Sequence, residues 1–175
     1  SEALTDSRLH RILDANFNRS REGLRVAEEI VRFAMDSAVL QKGFKRCRHE
    51  VQRVLEDFSV APRTLLKSRD SRQDVGRGAS ALEERRKDLA EVFLANVQRV
   101  KESLRALEEF SKLIDPVASR RLKEIRFRVY ALEKKALPKL EAVRDHLSGT
   151  ARGTGPFKGG RGSDLGRRRR RSTAR

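Results

Sequence analysis

A fifteen-residue segment near the start of the chain recurs 80 residues later. Residues 15–29 (Ala-Asn-Phe-Asn-Arg-Ser-Arg-Glu-Gly-Leu-Arg-Val-Ala-Glu-Glu) and residues 95–109 (Ala-Asn-Val-Gln-Arg-Val-Lys-Glu-Ser-Leu-Arg-Ala-Leu-Glu-Glu) are identical at eight of fifteen positions. Such self-similarity indicates two copies of one structural unit. Each copy is followed by a further segment with helical spacing, so the repeat predicts two duplicated helical hairpins that form an all-α, antiparallel four-helix-bundle-like domain.

The helix that follows each repeat is marked by apolar residues at three-four spacing. The two stripes consist of Leu40, Phe44, Cys47, Val51, Val54 and Phe58, and of Leu122, Ile125, Val129, Leu132 and Ala136. A capping box at Ser80–Glu83 is expected to begin the third helix. Pro138 is expected to kink or interrupt the last helix, and Gly149 lies where that helix should stop. We therefore expect a helical domain over residues 5–148, with repeats at about 8–58 and 80–147.

Two segments of the chain lack helical periodicity. Residues 59–79 join the two halves, and a connection of this length is either mobile or functional. From Thr150 onward there are nine basic residues and one acidic residue, which is half of the formal net charge of +16. Residues 150–175 are therefore predicted to form a disordered Arg/Gly tail, and nucleic acid is expected to bind only non-specifically, through that tail.

Several classes of protein are disfavoured by the composition. A single cysteine excludes an intrachain disulfide, and no apolar run approaches the roughly 20 residues of a membrane span. The first residues lack the basic and apolar blocks of a signal peptide, so we expect a cytoplasmic protein without membrane contact. Residues 155–162 only imitate a phosphate-binding loop, because arginine and glycine stand where lysine and Ser/Thr are required. Any nucleotide chemistry would therefore use a helical site.

The first helix carries apolar residues on more than one side. One stripe consists of Leu13, Phe17, Ser20, Leu24, Ala27 and Val31, and a second strip of Ala15, Val26, Ile30 and Phe33. A polar wedge between them consists of Asp14, Asn18, Arg21, Glu22, Arg25, Glu29 and Arg32, while Asn16 and Arg19 lie within the otherwise apolar arc. The second copy keeps Asn96, Arg99, Glu102, Arg105 and Glu109.

A buried Asn-x-x-Arg pair is costly unless its polar groups are satisfied, so its recurrence has two interpretations. In the first, the asparagines, arginines and glutamates form hydrogen-bonded pairs across the pseudo-symmetric helices. In the second, the arginines clamp phosphates and the carboxylates hold a magnesium ion, because a guanidinium donates bidentately to phosphate and carboxylate oxygens suit a hard cation. The residues alone leave both interpretations open. By itself, His49 is more typical of a helix surface or core than of a catalyst.

The run from Arg11 to Glu29 resembles a small bacterial helical family that occurs alone or fused to thiamine-phosphate synthase. Its Asp-Ala-Asn-x-Asn-Arg-x-Arg-Glu-Gly-Leu-Arg motif is not explained by helical periodicity. The resemblance extends over about residues 8–135. It is supported by Arg46-Cys-Arg-His49, by Arg69-Asp70 with Asp74-Val-Gly76, and by the second repeat. Members of this family are hydroxymethylpyrimidine-phosphate kinases, which convert the monophosphate to the diphosphate that the synthase condenses with a thiazole phosphate.

The resemblance implies a site, with ATP and hydroxymethylpyrimidine phosphate as substrates and Mg²⁺ as cofactor. Phosphate binding and catalysis are expected of Arg19, Arg25, Arg99 and Arg105, together with Glu22. Magnesium coordination is expected of Glu22, Asp70 and Asp74. Orientation of the pyrimidine or of a phosphate is expected of Asn16 and Asn18. Further substrate or nucleotide contacts are expected of Asp14, Arg46, His49, Arg69, Gly76 and Asn96.

These 175 residues also do not include the synthase barrel that often accompanies the domain in that family. A separate thiamine-phosphate synthase is therefore an expected partner, and a homo-oligomer is possible as well. One alternative function is nucleic-acid binding through the basic tail. Another is a non-catalytic docking or regulatory domain for that synthase. The second apolar strip of the first helix would then serve as the partner or dimer surface. The recurring polar residues would in that case be structural.

Overall fold

The computed structural model describes residues 2–69 and 86–150, with side chains described over 6–69 and 86–144. These residues form five helices and no strand, which confirms the predicted all-α class. The helices are α1 (Glu2–Phe33), α2 (Ala38–Glu56), α3 (Pro62–Lys67), α4 (Leu89–Ser111) and α5 (Pro116–Thr150). Residues 70–85 and 151–175 lie outside this description, and with them lie the predicted capping box at Ser80–Glu83 and almost all of the predicted tail.

The four long helices pack around one core. Helix α1 lies against α2 and α4, and α5 lies against α4 and α2, while the short α3 contacts α1. Connections of a few residues join α1 to α2 and α4 to α5, and such short connections produce antiparallel hairpins. The repeat therefore corresponds to two helical hairpins, as the sequence predicts.

Both hairpin turns are closed by a polar side chain that caps the second helix. In the first hairpin, the hydroxyl of Ser37 accepts a hydrogen bond from the backbone N–H of Leu40 at 3.5 Å. In the second, Oδ1 of Asp115 accepts one from Ala118 at 2.9 Å. Each capping side chain accepts a hydrogen bond from a backbone N–H that has no partner within the helix. The two turns therefore begin the second helix of their hairpin in the same way.

The core consists of the stripes that the spacing predicts. The predicted core positions of α1 and α2 are all buried, as are those of α5 except for the half-buried Leu132. Two edge-to-face ring pairs join the elements, with ring centroids 5.6 Å apart for Phe17 and Phe58 and 5.7 Å apart for Phe44 and Phe93. The first pair lies within the first hairpin, whereas the second joins the first hairpin to the second. Since aromatic side chains bury large areas, the contact of Phe44 with Phe93 helps to fix how the hairpins face each other.

A close approach between α1 and α4 occurs at Gly23. A Cβ atom placed there would lie 2.6 Å from Cγ2 of Val100 and 3.0 Å from the backbone oxygen of Asn96. The first distance is shorter than packed side chains allow and the second is tighter than most contacts of a Cβ atom, so glycine permits the two repeat helices to approach. The corresponding position in the second repeat is Ser103.

Helix boundaries differ from the predicted ones at three places. Part of the predicted connection at residues 59–79 is helical, because Pro62 fixes the first turn of α3. Helix α4 begins at Leu89, where the carboxylate of Asp88 accepts from the backbone of Glu91 at 2.7 Å. Helix α5 continues through Pro138 and runs to Thr150, one residue beyond the predicted stop. These differences shorten the third helix and leave the hairpins unchanged.

The second apolar strip of α1 does not form a continuous surface. Ile30 is buried, and Val26 is half-buried against the core. Phe33 alone in that strip is largely exposed, at 69%, and the guanidinium of Arg32 lies 4.6 Å from its ring centroid. The prediction of a partner surface built from the whole strip is therefore wrong, because α2 and α4 cover most of it. Among the described helices, none is both long and apolar enough to cross a membrane.

Candidate functional site

Six of the predicted site residues line one open cleft, which we call the Asp14 cleft. It has a volume of about 720 Å³ and lies along the first half of α1, with Arg69 reaching it from beyond the end of α3. The predicted residues in its lining are Asp14, Asn16, Asn18, Arg19, Glu22 and Arg69. The five residues of α1 project from successive turns of that helix, so the helical repeat itself brings them together, and Arg69 joins them from another part of the chain.

Asp14 and Arg69 form a bidentate ion pair at this cleft. Nε of Arg69 donates to Oδ2 of Asp14 at 2.7 Å, and Nη2 donates to Oδ1 at 2.9 Å. The hydrogen bond to Asp14 raises the pKa of Arg69 above its ordinary value, partial burial opposes this shift, and the charge of Glu22 adds to it. The pair fastens the chain just before residue 70 to α1, while Nη1 of Arg69 makes no bond to the carboxylate.

The asparagines are held by the backbone of their own helices. Nδ2 of Asn16 donates to the carbonyl of Ile12 at 2.9 Å, and Nδ2 of Asn96 donates to Val92 at 2.8 Å. Asn18 makes the same bond to Asp14 at 3.0 Å. The shared bond explains why asparagine recurs in both repeats, and it fixes the amide so that its oxygen remains an acceptor.

Arg19 and Glu22 are exposed in the cleft and make no ion pair or hydrogen bond with other described residues. The predicted buried Asn-x-x-Arg pair is therefore wrong in its second member, since Arg19 and Arg99 are both exposed while Asn16 is buried. The cleft is positive overall, because four arginines outnumber its two carboxylates. Those arginines are Arg8, Arg11, Arg19 and Arg69.

The other predicted residues lie outside the Asp14 cleft. Arg25 and Arg105 form ion pairs within their own helices, with Glu29 at 2.7 Å and Glu109 at 2.8 Å. Arg46 pairs with Glu50, and His49 lines a second cleft. Arg99 and Asn96 belong to neither cleft lining. Asp70, Asp74 and Gly76 lie outside the described residues.

Each hairpin contains an ion pair with a buried glutamate, and neither pair was predicted from the sequence. Nε of Arg48 donates to Oε2 of Glu28 at 2.9 Å, and Nε and Nη2 of Arg126 donate to Oε2 of Glu108 at 3.0 and 2.8 Å. Both glutamates are almost fully buried. A signal for them exists, because Glu28 lies four residues after the core residue Leu24 and therefore on the edge of its stripe. These pairs favour the interpretation in which some of the recurring charged residues form hydrogen-bonded pairs that stabilise the fold.

Magnesium ligands are few in the part of the chain that the structure describes. No group of three or more His, Cys, Asp or Glu residues there is arranged to hold a metal ion. Both oxygens of Asp14 bond to Arg69, whereas the Glu22 carboxylate is exposed in the cleft. Since magnesium in phosphoryl-transfer sites is held by one or two carboxylates together with substrate phosphates, the cleft fits a cation carried by a phosphorylated ligand.

Comparison with known proteins identifies relatives of the helical domain. The model of a family described as the ThiD2 family matches residues 11–135. A thiamine-phosphate synthase of a Synechocystis species is 44% identical over 124 residues, which are 70% of this chain and 34% of that protein. The thiamine-phosphate synthase of Thermosynechococcus vestitus is 43% identical over 128 residues, or 73% and 35%. That of Rhodopirellula baltica is 40% identical over 127 residues, or 69% and 32%. The chain spans about a third of the length of these curated relatives, and no solved structure matches it.

Proposed function

The chain belongs to the ThiD2 family of thiamine biosynthesis, and on that premise we propose that it transfers a phosphoryl group from ATP to hydroxymethylpyrimidine phosphate. The γ-phosphorus of ATP would form a bond to an oxygen of the acceptor phosphate, and its bond to the β,γ-bridging oxygen would break. The products are the pyrimidine diphosphate and ADP.

One observation carries this proposal, the gathering of Asp14, Asn18, Arg19, Glu22 and Arg69 around a positive cleft. A phosphate monoester has a second pKa near 6, so the acceptor oxygen is already largely anionic at neutral pH. The reaction therefore needs positioning and charge neutralisation more than a strong base. A cleft that offers arginines and oriented amides without a buried histidine suits this requirement.

The individual side chains have distinct roles in the proposal. Arg19 and Nη1 of Arg69 bind the phosphate of the acceptor, since a guanidinium is the preferred donor to phosphate oxygens. The amide oxygens of Asn16 and Asn18, fixed by their backbone bonds, accept from the amino group of the pyrimidine. Asp14 holds Arg69 in place. The free pyrimidine alcohol offers no anion to the arginines and should be a poor substrate.

Magnesium is the proposed cofactor. Glu22 would hold it from α1, with Asp70 and Asp74 from the segment that follows Arg69. When bound, the ion neutralises charge on the transferring phosphates. Without it, the exposed carboxylate of Glu22 would repel the anionic substrates.

The proposal is tested by a coupled assay of the full chain with ATP, magnesium and hydroxymethylpyrimidine phosphate. Parallel reactions contain the free alcohol in place of the monophosphate. We expect ADP release and diphosphate formation with the monophosphate alone. Equal turnover of the alcohol would contradict the phosphate clamp, and absence of product with either substrate would contradict the kinase.

The curated relatives favour a second candidate function, because each is a thiamine-phosphate synthase about three times as long as the matched segment. The helical domain would then dock on a synthase without catalysing a reaction of its own. Gel filtration of the chain with a thiamine-phosphate synthase tests this candidate. A stable complex together with an inactive kinase assay supports docking, whereas catalysis by the isolated chain excludes a purely structural role.

A further inference from the structure

A second cleft lies on α1 and α2, and we call it the Arg21 cleft. It has a volume of about 550 Å³, and its lining consists of Arg21, Arg48, His49, Gln52 and Arg53. Arg21 is half-buried, yet it forms no ion pair or hydrogen bond with any residue in the described parts of the chain. Burying part of a guanidinium without a partner is unfavourable, so a group supplied from outside would stabilise it.

Gln52 leaves an unsatisfied atom in the same lining. Its Nε2 donates to Glu56 at 2.7 Å, while its Oε1 is buried and has no hydrogen-bond partner among the residues that the structure describes. A buried carbonyl oxygen without a donor is rare in proteins. A ligand that fits this cleft would have anionic oxygens that bind the arginines and an N–H or O–H group that donates to Gln52.

The remaining arginines of the cleft are only partly neutralised. Nε of Arg48 is bonded to Glu28, which also attracts Arg25. Nη2 of Arg53 lies 4.0 Å from Oε1 of Glu50, and that carboxylate is shared with Arg46 and Arg128. Positive charge therefore exceeds negative charge along this face, which attracts anions.

The second hairpin shows that the fold does not require an open basic cleft. At the position equivalent to Arg21, Nζ of Lys101 is bonded to Glu133 at 2.8 Å and lies 5.5 Å from the ring centroid of Tyr130. Arg126, the equivalent of Arg48, donates to the hydroxyl of Tyr130 at 3.1 Å as well as to Glu108. In the second hairpin, the ring of Tyr130 and the carboxylate of Glu133 thus occupy this position. In the first hairpin, the equivalent position is open and positively charged.

The two clefts adjoin along α1. Asn18 of the Asp14 cleft and Arg21 of the Arg21 cleft are three residues apart, so they are neighbours on the helix surface, with roughly 5–6 Å between their Cβ atoms. Asp14, Asn18 and Arg21 fall on one stripe of the helix. A chain of phosphates lying in the Arg21 cleft would therefore end beside the groups assigned to the acceptor.

We propose that the Arg21 cleft binds the polyphosphate chain of the nucleoside triphosphate that donates the phosphoryl group, next to the acceptor in the Asp14 cleft. This assignment rests on the proposed kinase function for the identity of the ligand. The guanidinium of Arg21 donates to phosphate oxygens, Arg53 adds charge at the rim, and Gln52 accepts from a donor group of the nucleoside.

The test is titration calorimetry of the full chain with inorganic tripolyphosphate and, separately, with hydroxymethylpyrimidine phosphate. The variants are Arg21→Gln and Arg53→Gln. Arg53 is exposed, so its replacement keeps the test valid if the Arg21 variant folds poorly. Arg120→Gln is the matched control, because Arg120 is an exposed arginine of α5 outside both cleft linings. Arg48 is not replaced, since its loss would remove the nearer of the two arginines that neutralise the buried Glu28.

We expect the dissociation constant for tripolyphosphate to rise about tenfold or more in both cleft variants, as the loss of a charge-assisted hydrogen bond implies. The control and the affinity for the pyrimidine phosphate should not change. Wild-type affinity for tripolyphosphate in both cleft variants would overturn the assignment, even if the chain is an active kinase. An inactive chain that binds tripolyphosphate through Arg21 would support the cleft as a phosphate site and overturn only the proposed reaction.

Discussion

Arg126 donates two hydrogen bonds to one oxygen of the buried Glu108, from Nε at 3.0 Å and from Nη2 at 2.8 Å. Burial by itself would lower the pKa of Arg126, but its hydrogen bonds to Glu108 and Tyr130 raise it above the ordinary value. The pair joins α4 to α5, as Glu28 and Arg48 join α1 to α2. Each hairpin is therefore joined by an ion pair whose glutamate is almost fully buried.

Replacing Arg126 by Met should destabilise the protein by about 2–3 kcal/mol, because the buried Glu108 would lose two charge-assisted hydrogen bonds and keep the largely exposed Arg105 as its remaining ionic partner among the described residues. The double variant Arg126→Met, Glu108→Leu should recover most of this loss. Urea unfolding followed by circular dichroism gives the free energies of unfolding. A single variant as stable as the wild type would show that the pair contributes little to the folded state.

The approach of α1 to α4 at Gly23 leads to a second prediction. Gly23→Ala should cost about 1–3 kcal/mol, since the new methyl group would meet the β-branched Val100 and the backbone of Asn96. Gly43→Ala is the matched control. There the methyl group would meet only the end of the flexible, half-buried side chain of Leu132 and no backbone atom, and alanine favours the helix by about 1 kcal/mol. Equal urea midpoints for the two variants would contradict the close packing at Gly23.

A substitution in the ion pair of Asp14 and Arg69 is expected to change activity more than stability. Arg69→Lys should raise the KM for the pyrimidine phosphate several-fold or more, because lysine cannot reproduce the bidentate fork. Stability should change by less than about 1 kcal/mol, since the side chain of Arg69 is 44% exposed. Steady-state kinetics and thermal unfolding of the same preparation test both statements. A large loss of stability with unchanged KM would make the pair structural.

The buried thiol of Cys47 is expected to make the free energy of unfolding depend on pH. Burial raises the pKa of its thiol to about 11, against the opposing attraction of Arg128. In the unfolded chain the thiol ionises near pH 9, so between pH 9 and 11 the folded state binds more protons, and stability falls as pH rises. This contribution amounts to at most about 3 kcal/mol. Unfolding free energies of the wild type and of Cys47→Ala should therefore converge or cross as pH rises through this window, and parallel curves would contradict the shift.

Periodicity predicted those features of the fold that depend on one helix at a time. The burial of Phe44 and Val51 follows from their spacing alone, and the two hairpins follow from the repeat. The ion pair of Glu28 with Arg48 depends on how the turn after α1 sets the register of α2, which spacing along one helix does not reveal. The start of α4 at Leu89 depended on choosing Asp88 over Ser80 as the cap, and both residues suit that role.

Those parts of the candidate site that depend on a single helix were also predicted from the sequence. The predicted residues of the Asp14 cleft, apart from Arg69, all lie on α1. Their proximity to one another therefore follows from the sequence motif to which they belong. Arg25 and Arg105 belong to the same motif, but each has a glutamate four residues later, and these intrahelical pairs hold them away from the cleft. The Arg21 cleft needs side chains from two helices, and only His49 among its members was a predicted site residue.

Diphosphate formation by the wild type, Arg19→Ala and Arg120→Ala, followed by phosphorus NMR, tests both the kinase activity and the position of its site. All three reactions contain ATP, magnesium and hydroxymethylpyrimidine phosphate, and far-UV circular dichroism checks that helicity is equal. We predict that the wild type and Arg120→Ala form the diphosphate, whereas Arg19→Ala forms none. Full activity of Arg19→Ala would contradict the placement of the site in the Asp14 cleft, and absence of product from the folded wild type would contradict the kinase itself.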